Sequence, residues 1–348
     1  MATKSSIAVG FLALVRGRSF GWGGIAGWVI PLILGVTGAL AAEAVMVHDI
    51  SAPHPRLRYF EEMTAEVAKR SGGALTVTIN PGGKILYPGR ASLDAVRSGK
   101  AHLALINTAH LESIDPRIGL VNQPFTLSDE IMSKPGVTEG VIQLIQSHVE
   151  PSKLQVLGLM RGADTLFIFK KIQVRRPEDL KGVKIRVAGP GVFQELVRSL
   201  DAEPLVIPFI EISSALEQGA VEGILTSPGG WVTQFGLTAP NGSLVPGLIF
   251  MTYSLIADKP WLDGLPAVQR QALVSAARAN VTEKWRDMER DDREIISKFV
   301  AQGASYWSVP AAEMAPWKER VEGMRRTFAG TYPEVVRKYD AILRSGGR

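Results

Sequence analysis

The 348-residue chain has no cysteine, which excludes disulfides and leaves no thiol to carry a lipid anchor. Histidine is scarce too. His48, His54, His102, His110 and His148 are the only five, and their spacing forms no local metal-ligating signature. Apart from Gly17-Arg18-Ser19-Phe20-Gly21 near the N-terminus, there is no Gly-x-Ser-x-Gly sequence, and there is no His-Glu-x-x-His helix. Ser98-Gly99-Lys100-Ala101 lacks both the preceding glycine and the Ser/Thr of a phosphate loop, and Gly21-Trp22-Gly23-Gly24-Ile25-Ala26 lies near the N-terminus instead of between a strand and a helix. With nucleophile, metal cluster and cofactor loop all missing, the sequence points away from an enzyme, and no catalytic residue, metal or cofactor is expected.

Acidic residues are absent from the first 41 positions, which hold Lys4, Arg16 and Arg18, an apolar run from Ile25 to Val36 and then Ala39-Leu40-Ala41. Basic, apolar and small-x-small segments in that order predict an export signal over residues 1–41, cleaved after Ala41 or Ala44. The stretch from Trp22 to Ala42 approaches the length of a membrane span, so an uncleaved anchor is the alternative. Its glycines and Pro31 weaken that reading. No later apolar run is long enough to span a bilayer, so the mature chain is expected outside the cytoplasm. Removing the three leader cations takes the formal charge from +5 to +2. This is too small an excess to suggest nucleic acid, and Lys170-Lys171 and Arg175-Arg176 are too short to form a basic stripe.

Roughly 300 mature residues exceed one ordinary core, so two lobes are expected. Strands at Val45 to His48, Leu75 to Ile79 and Leu103 to Ile106 alternate with helices at Leu57 to Val67 and Arg90 to Arg97. That order predicts an α/β lobe with a mostly parallel sheet and a ligand crevice at its strand ends. A second lobe repeats the pattern. It has strands near Gln155 to Met160, Val183 to Val187, Pro204 to Ile207 and Val221 to Leu225, with helices at Val192 to Leu200 and Ile210 to Gln218. Leu248 to Ile256 reads as a strand crossing back. Between Ala267 and Gln302 there is neither proline nor glycine. The spacing there predicts a single helix of about 50 Å, long enough to touch both lobes. Asp292 interrupts its apolar stripe.

The most informative segment is Pro177-Glu178-Asp179-Leu180-Lys181-Gly182-Val183-Lys184-Ile185-Arg186-Val187-Ala188-Gly189-Pro190. Val183, Ile185 and Val187 recur at period two, which turns Lys184 and Arg186 to the opposite face just before a Gly-Pro turn. A guanidinium is permanently charged and offers a planar fork of donors matched to a carboxylate. Arg186 therefore either captures an organic acid or makes a surface salt bridge.

These features, with Pro81-Gly82-Gly83, Leu93-Asp94-Ala95-Val96-x-x-Gly99, Ala215-Leu216-Glu217-Gln218-Gly219-Ala220-Val221-Glu222-Gly223 and Trp261-x-x-x-Leu265-Pro266, resemble the extracytoplasmic solute receptors of tripartite ATP-independent periplasmic (TRAP) transporters, the DctP-like type. The resemblance covers roughly residues 44 to 345. It implies a two-lobed clamp spanned by a long helix. Lobe I is expected over 44–160 plus about 247–290, and lobe II over 161–246 plus about 291–345. It implies a monomeric periplasmic receptor that captures a small organic acid and delivers it to integral-membrane TRAP permease subunits. A secreted α/β enzyme and the binding protein of an ATP-driven importer are the alternatives.

In the family the position of Arg186 forms the principal salt bridge to the ligand carboxylate. Asn107, His48 and Phe209 fall at further pocket positions, where the other roles open to them are loop cap, solvated histidine and core phenylalanine. Two departures concern specificity. Asp164 stands where many relatives have a second arginine, with Arg161 three residues earlier. It could pair with Arg186, bind a ligand hydroxyl or favour a ligand amine. Thr226 replaces a common asparagine, and the nearby Trp231 either stacks on a ligand ring or fills the lobe interface.

Overall fold

The computed structural model describes residues 41–345. The expected export signal over residues 1–41 lies outside the described residues, except for its last residue, Ala41. Among the described residues no helix is long and apolar enough to cross a membrane.

Period-two alternation sorts side chains onto two faces of each sheet. The strands β1 (Ala42–Val47), β2 (Leu75–Ile79), β3 (Leu103–Asn107), β4 (Leu154–Asp164) and β10 (Phe250–Asp258) form the first sheet, in the order β2-β1-β3-β10-β4. The first three are parallel, and β10 runs antiparallel between β3 and β4. In β3, Leu103 and Leu105 pack with the helix Leu57–Arg70, while Ala104 and Ile106 pack with the helix Val137–Val149. The sheet is thus covered by helices on both sides, as buried parallel strands require.

The second sheet holds β5 (Leu166–Phe169), β6 (Lys184–Val187), β7 (Glu203–Val206), β8 (Gly223–Thr226), β9 (Asn241–Leu244) and β11 (Ser305–Ser308), in the order β11-β9-β5-β8-β6-β7. Phe167 and Phe169 face one core with Ile185, Val187 and the helix Val192–Ser199. Leu166 and Ile168 face another with Ile212, Trp231 and Phe299. The chain passes between the sheets at Thr165, whose N–H and hydroxyl both donate to the Ile249 carbonyl, at 3.2 and 3.0 Å. The two crossing strands are therefore fastened together where the lobes meet.

The segment expected to be one helix is two. The helix Ala267–Ala277 runs into a wide π turn, Arg278–Thr282, before the helix Trp285–Ala301 begins. A local reason is visible. β4 bulges between Val156 and Gly158, and Thr282 leans out of the helical segment to accept the Leu159 N–H at 3.3 Å. The second helix does join the lobes, with Trp285 and Met288 in the first-lobe cores and Phe299 in a second-lobe core. Asp292, the charged break in its stripe, is buried and grips two buried arginines, Arg56 at 2.8 Å and Arg161. The C-terminal part departs from the expected lobe boundaries. The helix Ala315–Thr331 packs on the second lobe through Trp317 and Val321, whereas Val335 and Tyr339 of the helix Pro333–Ser345 return to the first-lobe core.

Candidate functional site

Parallel strands end their ladders on one side of a sheet, and the loops there face the partner lobe. In the first lobe these loops and ends supply Asp49, Ile50 and His54 after β1 and Asn107 at the end of β3, with Met251 and Tyr253 from β10. The second lobe supplies Arg186 and Ala188 from β6, Phe209 after β7, and Thr226 and Ser227 from β8. Together they line a cavity of about 20 Å³ between the lobes. That is about the room one water needs. The lobes are in contact around it. Gln234 Nε2 donates to Ser51 Oγ at 2.7 Å, and His54 Nε2 lies 3.5 Å from Ser227 Oγ.

Arg186 dominates the cavity. It is 3% exposed. Nε donates to the Ile207 carbonyl at 2.9 Å and Nη1 to the Leu225 carbonyl at 3.4 Å. Nη2 has no hydrogen bond to protein and no carboxylate is ion-paired to the side chain, among the described residues. Burial lowers its pKa to about 10, against the opposing pull of Tyr253 and Asp49. A guanidinium held by two carbonyls, with the rest of its fork uncommitted, is ready to receive an anion.

Asn107 is organised in the same way. Its Oδ1 accepts the Ala109 N–H at 3.0 Å, capping the turn after β3, and its buried Nδ2 has no partner. His54 Nδ1 accepts the Arg56 N–H at 3.1 Å, so the neutral ring carries its proton on Nε2. Burial first, then the Arg56 charge, holds its pKa down to about 3. A protonated Nε2 cannot take a proton from Ser227, whose Oγ already accepts the Gly230 N–H at 3.0 Å. The pair therefore does not make a nucleophile and base.

Of the residues expected in the pocket, Arg186, Asn107, Phe209 and Thr226 come together here, and His48, Asp164 and Trp231 do not. His48 points into the adjoining groove of about 570 Å³, lined also by Leu57, Phe60 and Ile79. There Nδ1 accepts the Ile50 N–H at 3.2 Å, and burial lowers its pKa to about 4. Asp164 belongs to the strand crossing. It accepts the Gly247 N–H at 2.9 Å, pairs in register with Phe250, and is pushed up to about 7 by burial. Arg161 is not a second anchor either, because Asp129 and Asp292 hold it. Trp231 is fully buried. Its indole N–H donates to the Ala239 carbonyl at 2.7 Å, its ring meets Phe299 edge-on, and it covers Gly242, where a Cβ would fall 2.4 Å from the ring.

Asp49 and Tyr253 were not singled out from sequence. Asp49 Oδ2 accepts the Gly89 N–H at 3.0 Å. Burial raises its pKa, opposed by that hydrogen bond and by the Arg186 charge. Its sequence signal is its place one residue beyond His48 at a strand end. Tyr253 stands opposite Asn107 in the β3–β10 ladder, so only the cross-strand register could have found it. Beside the cavity, the first-lobe Glu112 reaches the N-terminus of the helix Val192–Ser199. Oε2 accepts the Val192 N–H at 3.3 Å, and a Cβ on Gly191 (φ +60°) would lie 1.7 Å from the same oxygen. Burial, which outweighs the Val192 hydrogen bond, pushes the Glu112 carboxyl up to about 8.

The chain is 23% identical over 296 residues to the C4-dicarboxylate-binding periplasmic protein DctP of Rhodobacter capsulatus, covering 83% of this chain and 87% of that one. Its fold matches the sugar acid binding protein DctPAm of Advenella mimigardefordensis, solved in complex with galactonate, at a TM-score of 0.79 and 17% identity, over 88% of this chain and 98% of that one. It also matches a TRAP periplasmic solute binding protein of Sulfurospirillum deleyianum with bound succinate, at a TM-score of 0.78 and 22% identity, over 87% and 99% of the two chains. These likenesses are of the whole two-lobed fold. The pattern of the bacterial extracellular solute-binding proteins, family 7, the DctP family, matches residues 46–330, and the chain belongs to that family.

Proposed function

We propose that this solute-binding protein captures a small organic acid between its lobes, with the carboxylate on Arg186, and passes it to the membrane subunits of a TRAP transporter. The observation that carries the reading is the buried Arg186 guanidinium, held at Nε and Nη1 and uncommitted at Nη2. Asn107 Nδ2 and the His54 Nε2–H supply further donors from the facing lobe. An acid contacting both sets gains more in the closed form than in an open one, which is what makes a ligand close a clamp. The cavity as it stands holds little more than a water, so the lobes part to admit the acid and close over it.

The carboxylates named for the relatives from Rhodobacter, Advenella and Sulfurospirillum support the ligand class. The reading includes export to the periplasm with loss of the leader, and action as a monomer. N-terminal sequencing of secreted protein, its molar mass in solution, and uptake measured with and without the permease genes test those parts. The central test is titration calorimetry with mono- and dicarboxylic acids, sugar acids and aromatic acids. At least one acid should bind, and Arg186→Ala should weaken it by about a hundredfold or more, because a buried charged contact is lost. Unchanged affinity in that variant would overturn the assignment.

A further inference from the structure

The charges lining the cavity do not match the simplest carboxylate trap. Among the described residues one cation faces it, Arg186, and so does one carboxylate, Asp49. The other arginines nearby are spent, Arg56 on Asp292 and backbone carbonyls, Arg161 on Asp129 and Asp292. His54 is held neutral with its N–H inward. Asp49 is fixed by the Gly89 N–H on Oδ2, and no ion pair joins it to Arg186. Arg186 and Asp49 therefore face the cavity without touching, and the Arg186 charge opposes the burial that favours the neutral Asp49 carboxyl. A second negative group on a ligand would meet no second cation, and would be desolvated near Asp49. A donor on the ligand would meet an acceptor already in place.

We infer that Asp49 makes this a site for acids with one anionic group that carry a hydrogen-bond donor beside that carboxylate, and that it discriminates against dicarboxylates. The inference rests on the reading of Arg186 as the carboxylate anchor and narrows the ligand class within it. The donor is a hydroxyl or an ammonium, and both fit one carboxylate acceptor.

Four acids with the same number of carbons separate the possibilities: butyrate, 2-hydroxybutyrate, 2-aminobutyrate and succinate, each titrated into the purified protein. The hydroxy or the amino acid should bind at least about tenfold more tightly than both butyrate and succinate, the scale of one hydrogen bond to a charged group. The stronger of the two identifies the donor. Asp49→Asn and Asp49→Ser, checked for an unchanged melting midpoint, should shrink that preference to less than about threefold and improve succinate relative to the others. The wild-type panel decides the matter even if neither variant folds. Succinate binding as tightly as the hydroxy and amino acids overturns the inference. Arg186-dependent binding of all four without preference overturns it while leaving the proposed function standing, and binding of none overturns it and, should no acid of the wider panel bind either, the proposed function as well.

Discussion

Replacing Glu112 by glutamine should make the protein more stable at neutral pH and leave it unchanged in acid. The carboxyl is pushed up from 4.5 to about 8 in the native state, chiefly by burial against the second lobe. Below pH 4.5 it is protonated in both the native and the unfolded chain and contributes no penalty. Between 4.5 and 8 the unfolded chain ionises while the native one holds its proton, so stability falls as pH rises. Above 8 both are ionised and the loss is complete. At ~1.4 kcal/mol per pKa unit the full loss is about 5 kcal/mol, of which about 3 kcal/mol has accrued by pH 7. Glutamine keeps an oxygen for the Val192 N–H and cannot ionise. Melting midpoints of wild type and Glu112→Gln, taken from pH 4 to 9, should coincide near pH 4.5 and diverge by about 6 °C at pH 7, at roughly 2 °C per kcal/mol for a chain of this size. Because Gly191 and Val192 belong to the second lobe, the same titration weighs on lobe contact, and acid favours the closed form. Parallel midpoint curves across the whole range would refute the argument.

Arg186→Met should abolish acid binding yet raise the midpoint of the ligand-free protein by the equivalent of about 1 kcal/mol, because a guanidinium buried without a counter-ion gives way to an apolar side chain. A lowered midpoint would show that its bonds to the Ile207 and Leu225 carbonyls hold the strand ends together. Trp231→Phe should cost about 2 to 3 kcal/mol in denaturant melts, through lost packing and the unpaired Ala239 carbonyl, with ligand affinity unchanged. A selective loss of affinity would restore Trp231 to the site. Asp292→Asn should cost about 3 to 5 kcal/mol by leaving two buried arginines short of charge, and a loss below about 1 kcal/mol in the same melts would show the cluster to be dispensable.

What could be read from the chain divides along physical lines. Strands with period-two alternation and helices with sharp glycine stops, such as Leu75–Ile79 and Arg90–Arg97, are specified locally and appear where expected. β5, β9 and β11 escaped. Leu-Phe-Ile-Phe, Asn-Gly-Ser-Leu and Ser-Tyr-Trp-Ser are each four residues long and become strands only through their partners. Arg186 was legible because alternation fixes its face whatever the tertiary context. Asp49 and Tyr253 were not, since loop path and antiparallel register bring them to the cavity. Asp164 and Trp231 entered as pocket candidates through the family resemblance, but a strand crossing and a glycine gap at Gly242 absorb them. The polar break at Asp292 was visible as an anomaly in an apolar stripe. Its meaning needed Arg56 and Arg161, each more than 130 residues away in sequence.

The fastening of Thr165 to Ile249 has a consequence for the economy of capture. Two strands tied at a shared carbonyl can bend together far more readily than they can slide or twist apart, and the helix Trp285–Ala301 links the same two halves along a separate path. Relative motion of the halves is thereby confined largely to one angle. Little orientational freedom is left to lose when they meet, so most of what a solute gains from its contacts is expressed as affinity instead of being consumed in ordering the receptor.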